Sequence, residues 1–206
     1  MLTILAAGAV FTASAQSKTT FGVKAGVNFA SLHVSSEGSS NTANSGSLTT
    51  FSAGLFADAP IGSKGFSLQP GLFYTGKGGD SNDGISTGKL KLYYLQVPVN
   101  VVYNIPFTAG KLFFGGGPYA AYALSGTVKD QVSGRSVSVD VNFGNDINDD
   151  FKRTDFGITA LAGFQFTNGV LFNINTDLGL SNTLPSNSGG VSVKNRVFGI
   201  SAGYSF

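Results

Sequence analysis

The chain ends on a pattern that allows few folds. In Asn195-Arg-Val-Phe-Gly-Ile-Ser-Ala-Gly-Tyr-Ser-Phe206, positions Phe198, Ile200, Ala202, Tyr204 and Phe206 share one parity, and Gly199, Ser201, Gly203 and Ser205 share the other. A period of two is the signature of a β-strand, whose successive side chains point to opposite faces. One face here is oily and aromatic; the other is small and polar. A strand between lipid and a wet interior needs that split, with apolar side chains toward lipid and small or polar ones toward the lumen.

The same alternation recurs upstream. It predicts strands over 21–32, 49–59, 66–76, 89–105, 111–127, 154–166 and 170–181, with the terminal strand making eight. In the first, Phe21, Val23, Ala25, Val27 and Phe29 oppose Lys24 and Asn28. The fifth carries rings on both parities, and Leu112, Phe114, Ala120, Tyr122 and Leu124 are assigned outward. An even number of strands near ten residues or longer suits an antiparallel barrel that crosses a bilayer at a tilt and closes on itself. Closure removes the edges that lipid cannot hydrogen-bond. The expected fold is therefore all-β: an eight-stranded, antiparallel, up-and-down transmembrane β-barrel. The competing reading is a soluble sandwich in which the rings are core.

Connections alternate in length. Short ones cover 60–65, 106–110 and 167–169, and long ones cover 33–48, 77–88, 129–153 and 182–193. Short turns on one rim and long polar loops on the other fit a barrel of the outer membrane, with the long loops outside the cell. Aromatic residues near predicted strand ends, such as Phe21, Phe66, Tyr103 and Phe166, fit girdles at the two interfaces.

Composition agrees. Charged residues are 12% of the 206-residue chain, about half the usual share of a soluble domain. Net charge is +2 without a basic cluster, so no nucleic acid is expected as a partner. There is no cysteine, which excludes disulfides, thiolate catalysis and Cys-held metals. Near the start, the apolar run Leu2–Phe11 precedes Ala13-Ser-Ala15, a small-x-small cleavage site. Residues 1–15 read as a secretory signal peptide lacking its basic front, truncated or begun late, and 16–206 as the barrel domain.

Several segments together carry a family resemblance. They are Phe21-Gly-Val-Lys-Ala-Gly-Val-Asn28, Gly54-Leu-Phe-Ala57, Phe66-Ser-Leu-Gln-Pro-Gly-Leu-Phe-Tyr-Thr-Gly-Lys77, Tyr94-Leu-Gln-Val-Pro98, Gly116-Gly-Pro-Tyr119 and the terminal strand. The ordered series resembles the outer membrane protein beta-barrel domain family, which includes the PorT-like proteins of Bacteroidetes-type bacteria. The resemblance implies a barrel in the outer membrane of a Gram-negative cell. It also implies insertion by the barrel-assembly machinery, for which a terminal aromatic strand is the signal. It transfers no catalytic residue. PorT-like members are linked to secretion.

The sequence assigns no catalytic residue, no cofactor and no metal site. His33 is the sole histidine and begins a Ser/Gly/Asn-rich stretch; as a base it would need a nucleophile and an orienting acid. The oxygen-rich Gly144-Asn-Asp-Ile-Asn-Asp-Asp150, with Asn145, Asp146, Asn148, Asp149 and Asp150, offers Ca²⁺ ligands but lacks an EF-hand's central Gly and closing Glu. Gly78-Gly-Asp-Ser-Asn-Asp83 is a weaker version. The run Gly115-Gly-Gly117 is expected to bend a strand, since no helix follows to make a phosphate loop. Lys24, Asp58, Asp155 and Asp177 fall on the lumen parity. They are expected to pair with one another and with Asn28, Gln96, Asn100, Asn173 and Asn175, filling the interior without an open channel. The functional expectation is a monomeric structural or interaction barrel. Its partners would be outer-membrane lipid and lipopolysaccharide, with a possible protein partner at the long loops. The alternatives are a PorT-like secretion or transport component and a lipid-acting barrel enzyme.

Overall fold

A computed structural model describes residues 19–206, apart from 37–41, 83–85, 133–134, 145–148 and 186–189. The expected signal segment lies outside the described residues. The elements are β1 (Thr20–Ser36), β2 (Thr42–Asn44), β3 (Leu48–Ile61), β4 (Phe66–Asn82), β5 (Ser86–Phe107), β6 (Gly110–Val132), β7 (Arg135–Asp140), β8 (Thr154–Phe166), β9 (Val170–Gly179) and β10 (Val191–Ser205). Eight of them form a closed antiparallel ring: β1, β3, β4, β5, β6, β8, β9, β10 and back to β1. The seam between β1 and β10 runs from Gly22 opposite Ser205 to Ser36 opposite Val191. With the seam paired, no wall strand presents a bare backbone edge to hydrocarbon.

Period-two patterning becomes an outside and an inside. Phe198, Ile200 and Tyr204 face out, with 45%, 52% and 46% of their surfaces exposed, while Ser205 is buried. On β6 the assigned outward residues Leu112, Phe114, Tyr122 and Leu124 are all exposed, and Phe113 and Tyr119 turn inward and are buried. Rings gather at both ends of the apolar band. Toward the short turns, Phe66 packs on Tyr103 and Phe164 on Phe166, each pair with centroids 4.9 Å apart. Toward the long connections, Phe51, Tyr74 and Tyr93 lie within 5.8 Å of one another, and Phe29 stacks on Phe198.

Tight turns close the short rim. After β8, the chain reverses through Thr167-Asn-Gly169: Gly169 takes φ +90°, its N–H bonds the Phe166 carbonyl at 3.0 Å, and the Val170 N–H bonds Asn168 Oδ1. A glycine fits there because a Cβ is disfavoured at positive φ.

The long rim departs from the sequence reading. Stretches expected as loops are in part sheet: β4 and β5 stay paired out to Asn82 opposite Thr87, β6 and β7 form a further hairpin, and β2 adds a short strand beside β1. Beyond the apolar band both faces meet polar surroundings, so pairing continues without the alternation that marks it in sequence.

Candidate functional site

The lumen is packed, and glycines on its wall make the room. A Cβ on inward Gly22 would run into the Phe56 ring, one on Gly163 into Phe113 and one on Gly157 into Tyr119. Small residues on one strand thus sit against large ones projecting from another, which is how a small barrel fills its bore. Gly115 and Gly117, inside β6, work the same way against backbone: a Cβ on either would strike the strand that carries Val99 and Val101.

Five tiers follow from the short rim to the long rim. The first is polar: Lys111 Nζ donates to Asp58 Oδ2 at 2.7 Å, with Ser67 and Asn104 bonded alongside. Above it Val102, Phe113 and Leu161 form a small apolar cluster, and Phe56 reaches across beside it. Lys24 stands here over rings, its Nζ 4.8 Å from the Phe56 centroid and 5.3 Å from that of Phe73. The middle tier is an amide layer around a cavity of about 60 Å³ lined by residues including Asn28, Gln96, Asn100, Asn173 and Asp177. Gln96 Nε2 donates to Asp177 Oδ2 at 2.8 Å and Thr159 Oγ1 to Asp177 Oδ1 at 2.9 Å; Asn28 Nδ2 donates to Thr75 Oγ1 at 3.0 Å. The cavity has room for a few waters, and Gln96 Oε1 and Asn100 Oδ1, without a partner among the described residues, are the acceptors such waters would satisfy.

The fourth tier centres on Asp155, which is fully buried. Its Oδ2 accepts from Lys77 Nζ at 2.9 Å, Asn195 Nδ2 at 3.0 Å and Tyr119 OH at 3.4 Å, and its Oδ1 accepts from Ser181 Oγ at 2.9 Å. The Lys77 ammonium, also fully buried, lies 4.1 Å from the Tyr119 ring centroid and 5.3 Å from that of Tyr94. A carboxylate with this many donors and a cation over two ring faces is the arrangement a charge pair needs away from water. The fifth tier is apolar: Leu92, Tyr94, Tyr119, Ala121, Ala123, Val141 and Phe143, with Leu90, Val128 and Phe151 packed against them. Backbone bonds hold this cap to the wall, from Val141 N–H to the Gly126 carbonyl and from Ala123 N–H to that of Arg153.

The pairing expected among Lys24, Asp58, Asp155 and Asp177 is corrected by this arrangement. All four face the lumen and Asp177 takes Gln96, as expected, along with Thr159, yet the aspartates at its two ends take Lys111 and Lys77, and Lys24 stands over aromatic rings. The expected four sit at different heights, so the partner at each height comes from another strand. Lys77 falls in the expected long connection 77–88 because Gly76, Gly78 and Gly79 around it erase alternation; Lys111 stands one residue into β6, where a turn and a strand look alike. The available signal was charge balance, since Lys77 and Lys111 bring the lumen to three lysines and three aspartates.

His33 ends up on the outer wall, its Nδ1 2.8 Å from Asn44 Oδ1 and its backbone opposite Lys194. In the acidic segment, 145–148 lie outside the described residues; Asp150 Oδ2 accepts the Asn142 N–H at 2.9 Å. Of the weaker acidic run, Asp83 also lies outside, and Asp80 approaches Lys89 at 3.9 Å. No cluster of three metal-ligating side chains occurs among the described residues.

A closed ring with an apolar exterior and a filled interior that hides its charged and amide side chains is a membrane barrel. Its relatives place it further: a model of the outer membrane protein beta-barrel domain matches residues 14–184. The chain belongs to the outer membrane protein beta-barrel domain family. Its location is the outer membrane of a Gram-negative cell. This family member matches no curated protein. It is similar to solved structures that include the outer membrane protein OprG from Pseudomonas aeruginosa (14% identity, TM-score 0.49, covering 91% of this chain and 95% of that one). Others are Neisserial surface protein A (16%, 0.48, 92% and 100%) and Ail, the attachment invasion locus protein of Yersinia pestis (17%, 0.44, 92% and 100%). The family match carries the assignment.

Proposed function

We propose that this family member is a sealed barrel with a structural or interaction role, acting through its long rim at the cell surface, neither a passive pore nor an enzyme. The observation that carries the reading is the Lys77–Asp155 pair under its apolar cap. A solute crossing the lumen would have to break a buried ion pair and part Leu92 from Phe143. Outer-membrane lipid and lipopolysaccharide are its surroundings in this reading, and the barrel works as a monomer. A protein partner at the long rim is supported by β7: it pairs only with β6 among the described strands, and Val137 and Val139 each keep 58% of their surface exposed. An unpaired strand edge of that kind can accept another strand. A PorT-like secretion role is a narrower form of the same reading, and co-purification with secretion proteins would support it.

Liposome swelling tests the proposal. Vesicles carrying the refolded barrel should swell in a small sugar no faster than empty vesicles. Porin-like swelling by the wild-type protein would overturn the sealed reading.

A further inference from the structure

Just beyond the apolar band, on the long rim, the outer wall carries cations of two kinds. On the β5–β6 side, Lys89 lies directly opposite Lys129, and acids accompany them: Asp80 approaches Lys89 at 3.9 Å, and Asp140 lies opposite Thr127, which in turn lies opposite Lys91. On the β10–β1 side, Arg196 lies opposite Ser31 and Lys194 opposite His33. Alternation from Phe198 and Phe29 puts all four on the outer face. Neither Arg196 nor Lys194 has an ion-pair partner among the described residues. The neighbour opposite Arg196 on β9 is Leu178, and the next pair up the seam is Ser35 opposite Ser192.

Directly below this patch the same two strands become greasy. Phe29 stacks on Phe198 at 6.5 Å, and below them Val27 faces Ile200, both about half exposed. Two residues along a strand span about 6.6 Å. The cations therefore stand at headgroup height above a lipid-facing stripe. Two positive charges, an imidazole and hydroxyls, without an acid beside them among the described residues, are complementary to a phosphate. The stripe below is complementary to acyl chains. One ligand class meets both demands at that spacing.

We propose that the outer wall at Arg196 and Lys194 binds the phosphate of an outer-leaflet glycolipid of the lipopolysaccharide type, its acyl chains lying along Val27, Phe29, Phe198 and Ile200. The proposal deepens the reading above and rests on the long rim facing outward. Protease accessibility of the long loops on intact cells tests that orientation separately, so the two failures are distinguishable.

The experiment uses the refolded barrel in phosphatidylcholine nanodiscs, with phosphorylated lipid A, dephosphorylated lipid A and inorganic phosphate as probes. Wild-type protein should prefer the phosphorylated lipid by about tenfold or more, the worth of one charge-assisted contact. Arg196→Ala with Lys194→Ala should remove the preference; Lys89→Ala with Lys129→Ala should leave it intact. Should the first double variant fail the heat-modifiable gel test for folding, Arg196→Gln alone gives the same readout. Equal binding of both lipids by wild type, a preference that survives loss of the two cations, equal loss in the lysine control, or inorganic phosphate binding as tightly as the lipid would each overturn the proposal.

Discussion

The two ends of the lumen hold ion pairs of the same chemistry in different surroundings. Near the long rim, Lys77 and Asp155 are both wholly buried, and Asn195, Tyr119 and Ser181 complete the carboxylate. Near the short rim, Asp58 is buried but Lys111 keeps 29% of its side chain exposed. The difference is in what happens when one partner leaves. A lysine near an opening can turn to water. One under Leu92 and Phe143 cannot, and is left as an uncompensated charge.

Breaking the upper pair should therefore have the largest effect. Asp155→Ala should cost about 3–5 kcal/mol in urea unfolding followed by heat-modifiable gel migration, a readout suited to a chain without tryptophan. Replacing both partners, Lys77→Met with Asp155→Leu, should recover most of that loss. A cost for Asp155→Ala no larger than that for Asp58→Ala would mean that the two ends are equivalent. At the lower pair, Asp58→Ala should cost about 1–2 kcal/mol by the same assay, since hydration of Lys111 offsets part of the lost bond. The smallest effect sharpens the scale from outside the lumen. Lys89 and Asp80, 3.9 Å apart with 47% and 24% of their side chains exposed, should contribute under about 0.5 kcal/mol when Lys89→Ala is compared with wild type.

The wall was legible in the sequence, and the plug was not. Outward residues of β6 were separable even where rings occupy both parities, because lipid-facing identity is written residue by residue with period two. The ring of eight followed from counting those segments. Lumen partners obey another rule. Lys77 and Asp155 are 78 positions apart and meet across the bore, through a stagger and a register that no local pattern encodes. Asp155 and Asp177 were recognisable as inward, and Gln96 as a partner for such a charge, but the lysine that meets Asp155 was not. The long rim failed for a different reason: Thr42–Asn44 is short and polar, and Arg135–Asp140 alternates Val with Ser inside a stretch that otherwise reads as loop.

The join between β1 and β10 has a consequence for how the molecule is made. It unites residues roughly as distant along the chain as two can be, so it carries the heaviest loop-closure entropy of any contact in the wall and should zip late. Its alignment also tolerates no slip. A shift of one residue would turn Ser201 and Gly203 toward hydrocarbon and drive Tyr204 into the bore. Final closure is thus a proofreading step: only the correct alignment leaves the polypeptide compatible with both of its solvents.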